Sequence, residues 1–212
     1  MHRTIYRFVF AAALGCCLTG FAQAGDEHDH GDHGHGASAE EQAKMMEIFA
    51  KYVQPSEEHK QFADAVGSWN YTSKWWMTPD ADPMSDAGTM QAELAHDGHY
   101  LIEQVKGTTM GMPFSGTALS GYDRYNEEYF TVWVDNMGTG FMVMKGQKTG
   151  DTITYEGTYD DFWAGQDDKW MKMTVTENNP NQNTIAMYSQ DENGKEFKTM
   201  EMVYTRAKVA SN

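Results

Sequence analysis

The chain has 212 residues, carries a net charge of −15 and is 40% hydrophobic. So acidic a chain has no basic stripe to offer a phosphate backbone or an anionic bilayer surface, which argues against nucleic-acid binding and electrostatic membrane docking. Its length suits one domain that buries most of its apolar surface.

Residues 1–24 read as a secretory signal. Arg3 and Arg7 make a basic start, Phe8 to Phe21 is mostly apolar, and Ala22-Gln23-Ala24 has the small-x-small form that signal peptidase cleaves. The apolar run is short for a membrane span and a polar tract follows at once, so no span is expected after cleavage, and the protein is expected in the periplasm or secreted. Cys16 and Cys17 both fall in this segment. A lipoprotein reading ranks second, because Leu14 stands one place too late for a good lipobox. The mature chain then has no thiol, which excludes disulfides, zinc–thiolate sites and cysteine catalysis.

Residues 25–37 form a His/Asp-rich tail expected to be disordered. In it His28, His30, His33 and His35 alternate with acids. Imidazole and carboxylate at such short gaps suit a divalent transition metal such as Zn, Ni or Cu. A solvated linker that binds metal incidentally is the plainer alternative.

Residues 38–66 read as a helical segment. Ser38-x-x-Glu41 is a capping box, Met45, Ile48, Phe49, Tyr52 and Val53 recur at helical spacing, and Pro55 ends the helix. A second helix is expected over 56–66 with Phe62, Ala63 and Val66 toward the body. The two helices together suit a cap over one end of a barrel.

From Trp69 the period changes to two, and residues 67–208 read as the folded domain. Ten strands are expected near 69–77, 86–95, 100–107, 114–122, 127–135, 140–148, 152–159, 168–176, 183–189 and 195–206. Turn chemistry separates them at Asp97-Gly98, Gly111-Met112-Pro113, Gly150-Asp151 and Asn193-Gly194. Short loops make neighbours antiparallel, and ten such strands lose their edges most simply as a closed meander barrel. An all-β sandwich fits less well.

Pro55, Glu58-His59 and Gly67-x-Trp69, then Gly111-Met112-Pro113-Phe114-x-Gly116, Gly121-Tyr122-Asp123, Trp133-x-Asp135 and Met137-Gly138-Thr139-Gly140, form a specific combination. With Asn193-Gly194-Lys195-Glu196-Phe197 and a closing Tyr204-x-Arg206, it resembles the bacterial domain-of-unknown-function family numbered 1579 over about residues 55–206. The resemblance implies a lipocalin-like barrel similar to the nitrobindin and fatty-acid-binding groups, with no established activity and no catalytic residues to carry over. Asp97-Gly98-His99 departs from the Gly-Arg pair expected there.

Three constellations carry possible chemistry. Tyr129, Thr131, Trp133 and Asp135 share one strand face, and Trp69, Tyr71 and Trp75 share another; if these faces point inward they line a pocket with stacking surface and a polar anchor. Period alone does not say which face is inside. The pairs Met110/Met112, Met142/Met144, Met171/Met173 and Met200/Met202 offer either an adaptable lining or soft Cu(I) ligands. His96 and His99 flank a turn, with exposed turn residues as the plainer reading.

No serine elbow, P-loop, dinucleotide fingerprint or zincin motif occurs, so an enzyme is the weaker expectation. The reading is an exported barrel that binds a small apolar molecule through Trp69, Trp75, Tyr122, Trp133 and Asp135. Metal buffering by the tail, aided by the Met-x-Met pairs, and a structural envelope role are the alternatives. The sequence leaves the oligomeric state open.

Overall fold

The computed structural model describes residues 37–161 and 164–208. The segment expected to be a signal and the tract with His28, His30, His33 and His35 lie outside the described residues. Ten strands follow three short helical pieces: β1 (Gly67–Trp75), β2 (Met84–Ala95), β3 (Tyr100–Thr109), β4 (Met112–Asp123), β5 (Glu128–Asp135), β6 (Met142–Thr149), β7 (Thr152–Asp161), β8 (Gln166–Asn179), β9 (Gln182–Gln190) and β10 (Glu196–Arg206). Each pairs antiparallel with the next, and β1 also pairs with β10 from Trp69↔Arg206 to Trp75↔Met200, so the meander closes on itself.

Turn chemistry makes the connections short. The β2–β3 turn holds His96, Asp97 and Gly98 at positive φ, and Met110-Gly111 does the same between β3 and β4. In the β4–β5 turn the Asp123 carboxylate accepts hydrogen bonds from the backbone N–H of Tyr125 (2.8 Å) and Asn126 (3.1 Å). Asp191 repeats the device at β9–β10 by accepting from Asn193 N and Lys195 N, both at 2.9 Å.

Alternation then decides the core. Trp69, Tyr71, Met90, Ala92, Leu101, Val105, Tyr129, Met144, Tyr155, Met171, Met200, Met202 and Tyr204 point inward and are buried. Burial of these side chains is the main stabilising term of the barrel.

The helical segment departs from expectation. Helix α1 (Ala39–Val53) forms with its capping box, but no residue on it is buried; Met45, Ile48, Phe49 and Val53 are exposed. It caps nothing, because a helical period defines a face without supplying a partner for it. The second helix is broken at Gln61 into α2 (Glu57–Lys60) and α3 (Phe62–Ala65). Phe62 is buried as expected, whereas Ala63 and Val66 are exposed and His59 takes the inner position instead. The strands sit within a few residues of expectation. Met110 and Met112 fall on a turn and a strand start, both exposed, rather than on one strand face.

Candidate functional site

An even number of meandering strands gives the barrel two unlike ends. One carries the β2–β3, β4–β5, β6–β7 and β8–β9 turns, and α2 and α3 close it. Trp69 sits there, 1% exposed, its indole Nε1 donating to Ala65 O at 2.9 Å. The Arg206 guanidinium lies 4.2 Å from the Trp69 ring centre and donates to Val66 O (2.8 Å) and Asp64 O (2.6 Å). That clamp ties the last strand to α3.

Tyr122 belongs to the same end. Its ring lies 4.8 Å from Tyr129 and edge-on to His59 at 5.9 Å, while Phe62 meets Tyr129 edge-to-face. The Gln61 amide donates to the Tyr129 hydroxyl. His59 accepts from Ser56 N at 3.1 Å, and burial pushes its pKa below the usual imidazole value, with the His99 charge adding to the shift. His99 itself contacts Val53 O (2.5 Å) and His96 O through its two ring nitrogens, and these carbonyls raise its pKa. It ties α1 to the barrel rather than standing free in its turn.

The other end carries the longer β1–β2 and β5–β6 connections and, among the described residues, no helix. Trp75 and Trp133 face inward here from strands β1 and β5. Trp133 stacks on Phe114 at 6.2 Å and lies across Gly116, where an added Cβ would fall 2.2 Å from the Trp133 ring. Asp135 Oδ2 accepts from Trp133 Nε1 at 2.7 Å and Oδ1 accepts from Met137 N at 2.9 Å, so this carboxylate orients the indole and pins the loop. Trp75 Nε1 is buried with no hydrogen-bond partner. Lys169 and Asp161 form an ion pair at 3.1 Å beside the Tyr159 ring. Met77 (72% exposed) and Phe141 (74%) stand on the rim loops.

Between the ends the lumen is lined by Met142, Met144, Met171, Met173, Met187, Met200 and Met202, with Met173, Met187 and Met200 in register across β8, β9 and β10. Three of the four Met-x-Met pairs therefore face inward. One charged side chain sits among them. Glu103 lies between Leu101 and Val105 on the inner face of β3, and its cross-strand neighbours are Ala92 and Ala118. Burial pushes its carboxyl pKa up to about 7. Glu103 is half-buried on the inner face of β3.

Thus Trp75, Trp133 and Asp135 meet at the open end, and Trp69 and Tyr122 lie at the closed one. Glu103 was missed at the sequence level, although an acid flanked at i±2 by Leu101 and Val105 was there to be read. A groove of about 300 Å³ also exists, but on the outer wall, with Gln104, Lys106, Ser115, Thr117 and Asn136 around it. Its polar, open lining does not suit an apolar ligand. Among the described residues no group of three His, Cys, Asp or Glu side chains could hold a metal ion, and no helix is long and apolar enough to cross a membrane.

The family model described as "Protein of unknown function (DUF1579)" matches residues 54–206. Among solved structures, the S-type phycobiliprotein lyase CPES from Guillardia theta is similar at 11% identity and a TM-score of 0.51, over 73% of this chain and 94% of that one. Rv2717c from M. tuberculosis aligns at 15% identity and a TM-score of 0.48, over 73% of this chain and 100% of that one. A redesigned β-barrel aligns at 17% identity and a TM-score of 0.36, over 69% and 95% of the two chains. No curated protein matches. The lyase likeness speaks for the fold, a lipocalin-like barrel, and for nothing beyond it.

Proposed function

The chain belongs to the DUF1579 family, and from that premise we propose that it is an exported, non-enzymatic carrier of a small, largely apolar molecule held in the barrel. One observation carries this reading: inward-facing Trp75, Phe114, Trp133, Met142, Met173 and Met187 are only partly buried, as are Tyr122, Ile153, Val175 and Ile185 nearer the helical end. Large apolar side chains that face a barrel interior and remain partly uncovered are a lining for something else. Trp75 and Trp133 supply stacking surface at the mouth, Asp135 holds Trp133 in place, and Trp69 and Tyr122 form the floor. The unpartnered Trp75 Nε1 is a donor for one polar group of the cargo.

The test is native mass spectrometry of the mature protein from its own periplasm, with uptake of an apolar fluorophore as the solution readout. An organic adduct that weakens about tenfold or more in Trp133→Ala, the cost of losing one aromatic platform, supports the carrier. A bare mass with no fluorophore uptake, or a folded Trp133→Ala variant that keeps its ligand, overturns it.

A second, separable role is metal capture by the His tract. Deleting residues 25–36 is expected to abolish Zn or Ni uptake and to leave the organic adduct in place. Unchanged metal uptake removes that role.

A further inference from the structure

Glu103 is out of place in a methionine-lined lumen. An ionised carboxylate inside a protein is held by a partner charge or by several donors. Glu103 has neither. Its two cross-strand neighbours are alanines, which occupy little space and donate nothing. No Lys, Arg or His of the described strands faces it at mid-barrel: Arg206 lies at the closed end over Trp69, and Lys169 at the open end is paired with Asp161. The groups that do come near are phenols. The Tyr155 and Tyr204 hydroxyls are held above the ordinary tyrosine range by burial first and by the Glu103 charge second. Tyr71 packs 5.5 Å from Tyr204. An unpaired carboxylate on the inner wall with phenols close by is an arrangement that receives a protonated nitrogen: the charge pairs with the carboxylate, and the phenol oxygens accept beside it.

We propose that the lumen selects ligands with a protonated amine on an apolar body, and that Glu103, with Tyr155 and Tyr204 beside it, is the anchor for that amine. The proposal rests on the carrier reading and adds the chemistry of the cargo. Its cross-strand neighbours Ala92 and Ala118 are small, and the methionines adapt to the apolar part. An anionic amphiphile meets a like charge there with no cation to offset it, so fatty acids are disfavoured.

The test compares n-decylamine, 1-decanol and decanoate on the full mature chain by calorimetry at pH 8, at moderate and high salt. Salt separates Glu103 from the general attraction of an acidic protein for cations. The expected order is decylamine tightest by about tenfold or more, then decanol, then decanoate, with the preference persisting at high salt. Glu103→Gln is expected to bring decylamine level with decanol while decanol binding stays unchanged. Glu103→Asp, which keeps the charge on a shorter stem, is expected to retain part of the preference. If decanol binds and the amine preference is absent, or survives Glu103→Gln, the anchor is wrong and the carrier stands. If none of the three binds, the carrier reading falls and this one with it.

Discussion

The two ends of the barrel are built from the same alternating strands but hold the two β1 tryptophans, Trp69 and Trp75, in opposite ways. At the closed end most polar atoms meet protein partners, with Asn183 Oδ1 on β9 the exception. Trp69 Nε1 finds Ala65 O, Arg206 finds two carbonyls, and Tyr129 finds Gln61. At the open end Trp75 Nε1 has none, and Trp133 is held by an aspartate on its own strand rather than by a plug. Buried polar groups that are satisfied rigidify a core, while unsatisfied ones await a ligand or water. The contrast between Trp69 and Trp75 is the ground for expecting a stability role of the first and, on the carrier proposal, a binding role of the second.

The largest expected effect separates the two tryptophans. Trp69→Ala removes a fully buried indole and its clamp, and should cost about 3–5 kcal/mol of stability. Trp133→Ala should cost about 1–2 kcal/mol, since its ring is only partly covered, and should act mainly on ligand affinity. Denaturant melts paired with a binding isotherm check both. Equal stability losses for the pair would erase the distinction between the ends.

Next in size is the pH dependence of unfolding. The Glu103 carboxyl has a pKa of about 7 in the folded protein, against an ordinary value of 4.5. The folded protein therefore keeps its proton longer than the unfolded chain, so stability falls as pH rises from about 4.5 through 7. The fall should be on the order of 3 kcal/mol and should vanish in Glu103→Gln. His59 works the other way. Its folded pKa is lowered, so the stability it contributes is present above its unfolded value of 6.5 and is lost as pH falls below it. Melting curves for His59→Gln should lose that acid-side decline and keep the alkaline one. The two trends oppose each other below pH 7, so each is read from its own variant: a profile unchanged by Glu103→Gln or by His59→Gln contradicts the assignment of that residue.

Gly116→Ala sharpens the geometry of the mouth. The added methyl would meet the Trp133 ring at 2.2 Å, so the indole must leave its place above β4 and its bond to Asp135. A stability cost of about 1–3 kcal/mol is expected, with weaker binding and a shifted tryptophan emission. Retained emission and affinity would show that Trp133 does not shape the site. The smallest effect belongs to α1. No side chain of the helix is buried, so removing residues 38–53 should change stability by less than about 1 kcal/mol, as surface changes do. A large loss would mean that the contacts of His99 with Val53 O and of Arg124 with Gln54 O hold more of the closed end than burial suggests.

Much of this molecule was legible from residue order. Period two from Trp69 onward, broken by Asp-Gly, Gly-Met-Pro and Asn-Gly turns, defined ten antiparallel strands, and the motifs between Pro55 and Arg206 placed the chain in its family. These features are local: a strand's alternation and a turn's positive φ depend on neighbours in sequence. Three things were decided only by the closed barrel. Closure chose the inner face, putting Trp133 and Asp135 inside with Thr131 and leaving Val134 exposed, a choice that alternation leaves two-fold open. It set Trp69 and Trp75, six residues apart on one strand, at ends with different roles. It also brought Tyr155 and Tyr204 from β7 and β10 to Glu103 on β3, because only a sheet that returns on itself makes distant strands face one another across a lumen.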